Sequence, residues 1–151
     1  MLQRFRSDEG AELIEFALVL PMLLLVVLGI AEFGFIFQRQ EVVTNAAREG
    51  ARMAVLPGNY TFGSATSDIE MRVRSYVTQS GMPTTATNPN IVVTPDIVIP
   101  VGGGLPPVTV TRVTVTYTHN YIVLPRAGTL FGFTYPALPL IAAAEMRNEG
   151  N

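Results

Sequence analysis

Apolar positions along this chain fall into three regimes. From Phe16 to Ala31 the sequence reads FALVLPMLLLVVLGIA, 16 residues without a charge; Glu32 interrupts, and FGFIF follows at Phe33–Phe37. A helix of that uncharged length is roughly 24 Å long, at about 1.5 Å per residue. A bilayer core of about 30 Å asks for roughly 20 residues. The pattern therefore predicts a membrane-spanning helix from near Leu13 to Phe37, with Glu15 near one boundary and Glu32 near the other. A buried soluble helix is the first alternative, although a domain of this size rarely surrounds so uniformly apolar a cylinder. A cleaved secretory signal is the second, with Arg4 and Arg6 as its basic start and Ala31 before the cut. Against the second stand the acids Asp8, Glu9, Glu12 and Glu15, the length of the run, and a helical pattern that continues past Ala31.

In that continuation, residues 38–56, the period becomes helical. Val42, Val43, Ala46, Ala47, Gly50, Ala51, Ala54 and Val55 recur at spacings of three and four, while Arg39, Glu41, Arg48, Glu49 and Arg52 mostly face elsewhere. One helix is expected from about Ala11 to Leu56, apolar all round in its first half and amphipathic in its second, ended by Pro57-Gly58. Pro21 lies inside it and removes one backbone hydrogen bond, so a kink or loosened turn is expected there. Ala46, Gly50 and Ala54 form a small-xxx-small row that lets another backbone approach, either the chain's own sheet or a neighbouring subunit. Residues 59–66 read as a loop. Ser67–Ser80 reads as a second helix, with a capping box at Ser67 and Glu70, an apolar face of Ile69, Val73, Tyr76 and Val77, and a stop at Gly81 and Pro83.

After residue 90 the period is two. Ile91–Pro100 reads as an extended segment that Pro95 confines to a sheet edge or a bulge. Gly102–Gly104 permits a reversal. Val108–Tyr117 is β-branched almost throughout, with an alternation that changes phase at Arg112 and predicts a bulge there. Residues 119–136 read as a loop. Leu138–Arg147 reads as a last strand with Leu138, Leu140, Ala142, Ala144 and Met146 on one face, or as a short helix. The fold class expected is α+β: a long N-terminal helix packed on a small antiparallel sheet of three or four strands with one short extra helix.

Composition then narrows the function. The 151 residues are 48% apolar and only 15% charged, with ten Arg, no Lys, no Cys, no Trp and one His, for a net charge of −2. Disulfide scaffolds, Cys-ligated zinc, iron–sulfur and thiol chemistry are excluded, and one His cannot build a multi-His metal site. Residues 38–151 carry eight Arg against seven acids without a stripe, so no nucleic-acid partner is expected. His119 reads as a loop residue. The pairs Asp68/Glu70 and Glu145/Glu149 read as caps or solvated faces. No nucleophile motif or phosphate loop occurs. An enzyme, a metal and a cofactor are therefore not expected.

The most informative stretch is Gly10-Ala11-Glu12-Leu13-Ile14-Glu15-Phe16 leading into the apolar run. A Gly followed five residues later by Glu, then an aromatic, then an apolar helix, resembles a prepilin processing site. The longer string from Gly10 to Val55, with AAREGAR in its second half, resembles the TadE-like family of Tad/Flp pilus proteins, as does the ending AEMRNE at residues 144–149. The resemblance implies a pilin-like subunit with a leader of residues 1–10, cleaved by a prepilin peptidase between Gly10 and Ala11. It implies a transmembrane helix over residues 11–37 and an extracytoplasmic head over residues 38–151, with the N-terminus inside a bacterial cytoplasmic membrane. Arginines flank the span on both sides, so charge alone does not orient it. Implied partners are the peptidase, other pilins or pseudopilins, the Tad inner-membrane assembly platform and the lipid bilayer. Residence in the filament or at its base stays open, as does a membrane-anchored envelope interaction module without a filament role. Glu15 and Phe16 are the family hallmark pair, and Pro21, Ala46, Gly50 and Ala54 are the candidate helix-packing positions. Independently of the family, a carboxylate at the edge of hydrocarbon or inside it is costly, about 2.5–3.5 kcal/mol for an acid at a helix centre, and needs a partner. The α-amine created at Ala11 of a neighbouring subunit would supply one for Glu15. Glu32 reads as an outer boundary residue, or as a polar contact within an assembly.

Overall fold

The structure is a computed structural model describing residues 8–56, 64–128, 132 and 134–148. Its elements are α1 (Asp8–Ala54), α2 (Ser64–Gln79), β1 (Asn90–Ile99), β2 (Val108–His119), α3 (Leu124–Gly128) and β3 (Leu138–Arg147). The three strands form one antiparallel sheet in the order β1-β2-β3. This is the expected α+β class, with three strands and with the last segment a strand. The chain divides into two compact units. One gathers α1 up to Phe35 with Tyr121–Pro136; the other holds Ile36–Asn120 and the chain from Ala137 onward.

α1 is a single helix of 47 residues that Pro21 does not end. The second unit is built on its C-terminal part. Val43, Ala46, Ala47, Ala51 and Ala54 are buried together with Ile69, Val73 and Val77 of α2, Ile91 of β1, Val113, Val115 and Tyr117 of β2, and Leu140 of β3. Small side chains bring α1 close to both neighbours. A Cβ placed on Gly50 would lie 2.7 Å from Val73 Cγ2 and 3.0 Å from Val113 Cγ1, where α1, α2 and β2 meet. The Ala46–Gly50–Ala54 row is thus occupied by the chain's own α2 and sheet.

α2 begins at Ser64, three residues ahead of the expected start, so the Ser67/Glu70 pattern falls inside the helix and is no capping box. Nothing in Ser64-Ala65-Thr66 opposes helix, and Ala65 favours it. At its other end Gly81 adopts φ +77°, Met82 N–H donates to Val77 O and Gly81 N–H to Thr78 O. This paired closure satisfies the last carbonyls, and Met82 turns into the core beside Val77. Arg74 then donates to the Thr85 and Ala86 carbonyls at 2.6 and 3.0 Å, fastening the following turn to α2.

The phase change on β2 is resolved on the partner strand. Thr94 pairs with Arg112 and Ile97 with Val110, so Pro95 and Asp96 of β1 oppose Thr111 alone, whereas β2 pairs with β3 without interruption. The expected bulge at Arg112 is therefore a bulge at Pro95-Asp96. Pro95 has no N–H to offer a ladder, and Asp96 takes φ 53°, a conformation that a short polar side chain tolerates. Asn148 closes this end. Its N–H donates to Thr109 O, its Oδ1 accepts from Thr111 Oγ1 at 2.8 Å, and its Nδ2 donates to Asp96 Oδ1 at 3.3 Å. At the other end the Asn88 amide pairs with Thr118 like a strand residue, at 3.0 and 2.8 Å.

The Tyr117 ring is 1% exposed and its hydroxyl donates to Pro83 O at 2.9 Å. Burial raises its pKa above the ordinary value of about 10, with the Arg39 charge acting in the opposite, weaker sense. Above that value the unfolded chain releases the phenol proton while the folded chain keeps it, so stability falls as pH rises past about 10.

Two outcomes follow for the full chain in detergent micelles, both read by chemical denaturation. Gly50→Ala gains helix propensity of up to about 1 kcal/mol but overpacks buried Val73 and Val113 at about 1–3 kcal/mol, so the head loses stability. Val73→Ala in the same chain relieves part of that loss, giving a favourable coupling in the double-mutant cycle. Tyr117→Phe loses about 1 kcal/mol at neutral pH and flattens the decline between about pH 9 and pH 11.

Candidate membrane anchor and processing site

Gly10 and Ala11 lie in the first turn of α1, where backbone N–H groups have no intrahelical acceptor. Glu12 and Glu15 follow at the positive end of the helix dipole, which suits carboxylates. From Ala11 through Val27 every side chain is exposed, including Phe16 at 61%, Leu18 at 75% and Met22 at 74%. α1 is the one helix among the described residues that is long and apolar enough to cross a membrane. Glu15 stands on this exposed surface beside Phe16. Pro21 lies within it and lacks the N–H that would bond the Ala17 carbonyl. The candidate residues therefore separate. Gly10, Ala11, Glu15, Phe16 and Pro21 share the apolar segment, while Ala46, Gly50 and Ala54 are inside the head.

Glu32 departs from expectation. It is 1% exposed, and its carboxylate turns inward to the backbone ahead of and into α3. Oε1 accepts from Ile122 N–H at 2.8 Å; Oε2 accepts from Val123 N–H at 2.6 Å and Leu124 N–H at 3.1 Å. Three successive amides thus embrace one carboxylate, a geometry that favours negative charge. The residue expected at the outer boundary thus also anchors the backbone of residues 122–124. The sequence held a signal for this, since a lone acid inside an apolar run must find donors. Those donors are backbone groups 90 residues away or more in the chain, and their side chains give no sign of the contact.

His119 is not a loop residue. It ends β2, has no exposed surface, and its Nδ1 lies 2.6 Å from Arg39 Nη1. Arginine can only donate, so Nδ1 is the acceptor and the ring is neutral. Arg39, read as pointing away from the packed face, is drawn in by this contact. Glu145 pairs with Arg112 directly across β2 and β3, with Arg112 Nε donating at 2.6 Å, so it is a cross-strand ion pair. Glu149, paired with it in the sequence, lies outside the described residues, as do residues 1–7 of the expected leader. The 119–136 segment also contains the short helix α3.

A single exposed apolar helix, long enough to cross a membrane, continues into a small α+β head. Residues 10–52 match the family model described as TadE-like protein, covering the apolar and amphipathic parts of α1 and suggesting involvement in the Tad pilus. No curated protein and no solved structure gives a significant match.

The Glu32 contacts give a direct expectation. Glu32→Ala leaves three amides without their acceptor, at about 1–3 kcal/mol for each that stays dry. In detergent, trypsin cleaves after Arg126 faster in that variant than in the parent chain, while the far-ultraviolet spectrum is unchanged. Equal cleavage rates would show that other contacts hold the segment.

Proposed function

We propose that this chain is a minor pilin or pseudopilin of a bacterial Tad/Flp pilus, a structural rather than catalytic component. It is made as a precursor, cut by a prepilin peptidase after Gly10, and held by one membrane helix with its N-terminus inside and its head outside the cytoplasm. The observation that carries this reading is the junction of Gly10-Ala11 and Glu15-Phe16 with a helix whose apolar side chains face outward from Ala11 through Val27. The TadE-like match over residues 10–52 supports it.

The mechanism rests on low dielectric. A membrane helix must satisfy its backbone internally, which α1 does apart from the Pro21 position. It leaves Glu15 as a charge at the hydrocarbon edge. Cleavage after Gly10 creates an α-amine on Ala11. In a bundle of such helices the amine of one subunit neutralises Glu15 of the next, so a processed subunit enters in register and an unprocessed one does not. The exposed Phe16, Leu18 and Met22 supply the helix–helix and helix–lipid contact. Partners on this reading are other pilins and the inner-membrane assembly platform. The small-residue row of α1 does not serve them, because α2 and β2 already cover it.

Intact-protein mass spectrometry of the membrane fraction tests the reading. A mature start at Ala11 that vanishes in a peptidase-deficient strain is expected; a start at Met1 or Glu32 in the parent strain contradicts it. Gly10→Val is expected to block processing. Glu15→Ala is expected to be processed yet to impair pilus assembly, and unimpaired pili would overturn the neutralisation mechanism.

A further inference from the structure

A second apolar element accompanies α1. Between Arg112 and Glu145 the only Asp, Glu, Lys or Arg is Arg126, and the segment from Tyr121 to Pro136 groups with the apolar part of α1 as one compact unit. Its described side chains are apolar except Thr134 and the tyrosine hydroxyls, and half-buried to exposed. Ile122 is 40% exposed and Tyr135 38%, and Tyr135 meets Tyr121 edge to face with ring centres 5.8 Å apart. Exposed apolar side chains on a strand or loop are commonplace singly, but here they are joined to a helix that is itself apolar and uncovered.

The junction fixes the depth. Glu32 lies 17 residues after Glu15 on α1, about 26 Å along the axis, close to the thickness of a hydrocarbon core. If Glu15 marks one edge, Glu32 and the amides it holds mark the other. Irregular backbone at such a depth is tolerated only when its polar groups are satisfied by protein. The Glu32 carboxylate does this for Ile122, Val123 and Leu124. Tyrosines are the side chains suited to the headgroup boundary, with an apolar ring and a polar tip.

We propose that the described residues of the Tyr121–Pro136 segment (121–128, 132 and 134–136), clamped by Glu32, lie in the membrane interface at the C-terminal end of the span, giving the protein a second lipid contact beside its transmembrane helix. The partner is the bilayer surface itself. This inference rests on the reading of α1 as a membrane span, and its test separates the two. The chain has no tryptophan, so each single substitution is the sole indole. Tyr135→Trp, Ile122→Trp, Leu24→Trp and Met71→Trp are made separately in the full chain. Each is reconstituted in vesicles of equal parts phosphatidylcholine and phosphatidylglycerol, with and without brominated acyl chains. Leu24 belongs to the span, and Met71 is a 64% exposed position on α2.

Tyr135→Trp and Ile122→Trp are expected to emit at shorter wavelength than Met71→Trp and to show at least about half the bromolipid quenching of Leu24→Trp, as an interfacial ring should. Adding Glu32→Ala to Tyr135→Trp is expected to shift its emission toward that of Met71→Trp and to lower the quenching, leaving Leu24→Trp unaffected. If Leu24→Trp is quenched while both segment positions behave like Met71→Trp, the interfacial segment is overturned and the span stands. If Leu24→Trp is not quenched, the span falls and the inference with it. Unquenched, short-wavelength emission from the segment that grows with protein-to-lipid ratio would assign the face to a second copy and overturn the lipid contact.

Discussion

The backbone of α1 satisfies itself within one continuous segment, and that constraint organises the rest of the molecule. An α-helix is the only single-segment solution, because every interior N–H and C=O then finds its partner within the segment. Once such a helix is laid down, its continuation through residue 54 is inexpensive. Each further residue adds one hydrogen bond, and the nucleation cost has already been met. The same cylinder can therefore present large apolar side chains on all sides over residues 11–31 and small ones on a single face over residues 43–54. What changes along it is side-chain size and the material that covers it.

In the head, small size is the organising property. Ala46, Ala47, Gly50, Ala51 and Ala54 leave α1 almost without relief on one face, and the β-branched residues Val73, Val113 and Val115 fill the space up to its backbone. A core built this way is rigid with few large side chains, since valines lose little rotamer freedom and alanines none. Polar fasteners finish its edges: Arg39 on His119, Tyr117 on the Pro83 carbonyl, Asn88 on Thr118 and Asn148 on the bulge. The absence of cysteine means that packing and these hydrogen bonds hold the domain without cross-links.

Much of this was legible in the sequence. The run from Phe16 to Ala31, the three-and-four spacing through residue 55, and the alternation along Leu138–Arg147 each carry the period of the element they form. Gly81 announced the end of α2, and Pro95 announced an edge strand or a bulge. What was read wrongly depended on distant partners. The phase break at Arg112 was correct, but the extra residue belongs to β1, since a ladder records only the difference between two strands. Ser67 matched a capping pattern, and only the start of α2 at Ser64 showed that it lies inside the helix.

The sequence by itself therefore determined the elements and the apolar segment, both properties of neighbours in the chain. Tertiary structure alone decided the fates of the buried polar groups. The partners of Glu32 and His119 are unknown until the chain brings backbone amides from residues 122–124 to one and the Arg39 guanidinium to the other. A polar side chain in an apolar setting must be satisfied, and the sequence states that requirement plainly. Which group satisfies it is set by where the fold returns the chain, across 90 residues for Glu32 and Ile122 and 80 for Arg39 and His119. No local pattern encodes that distance.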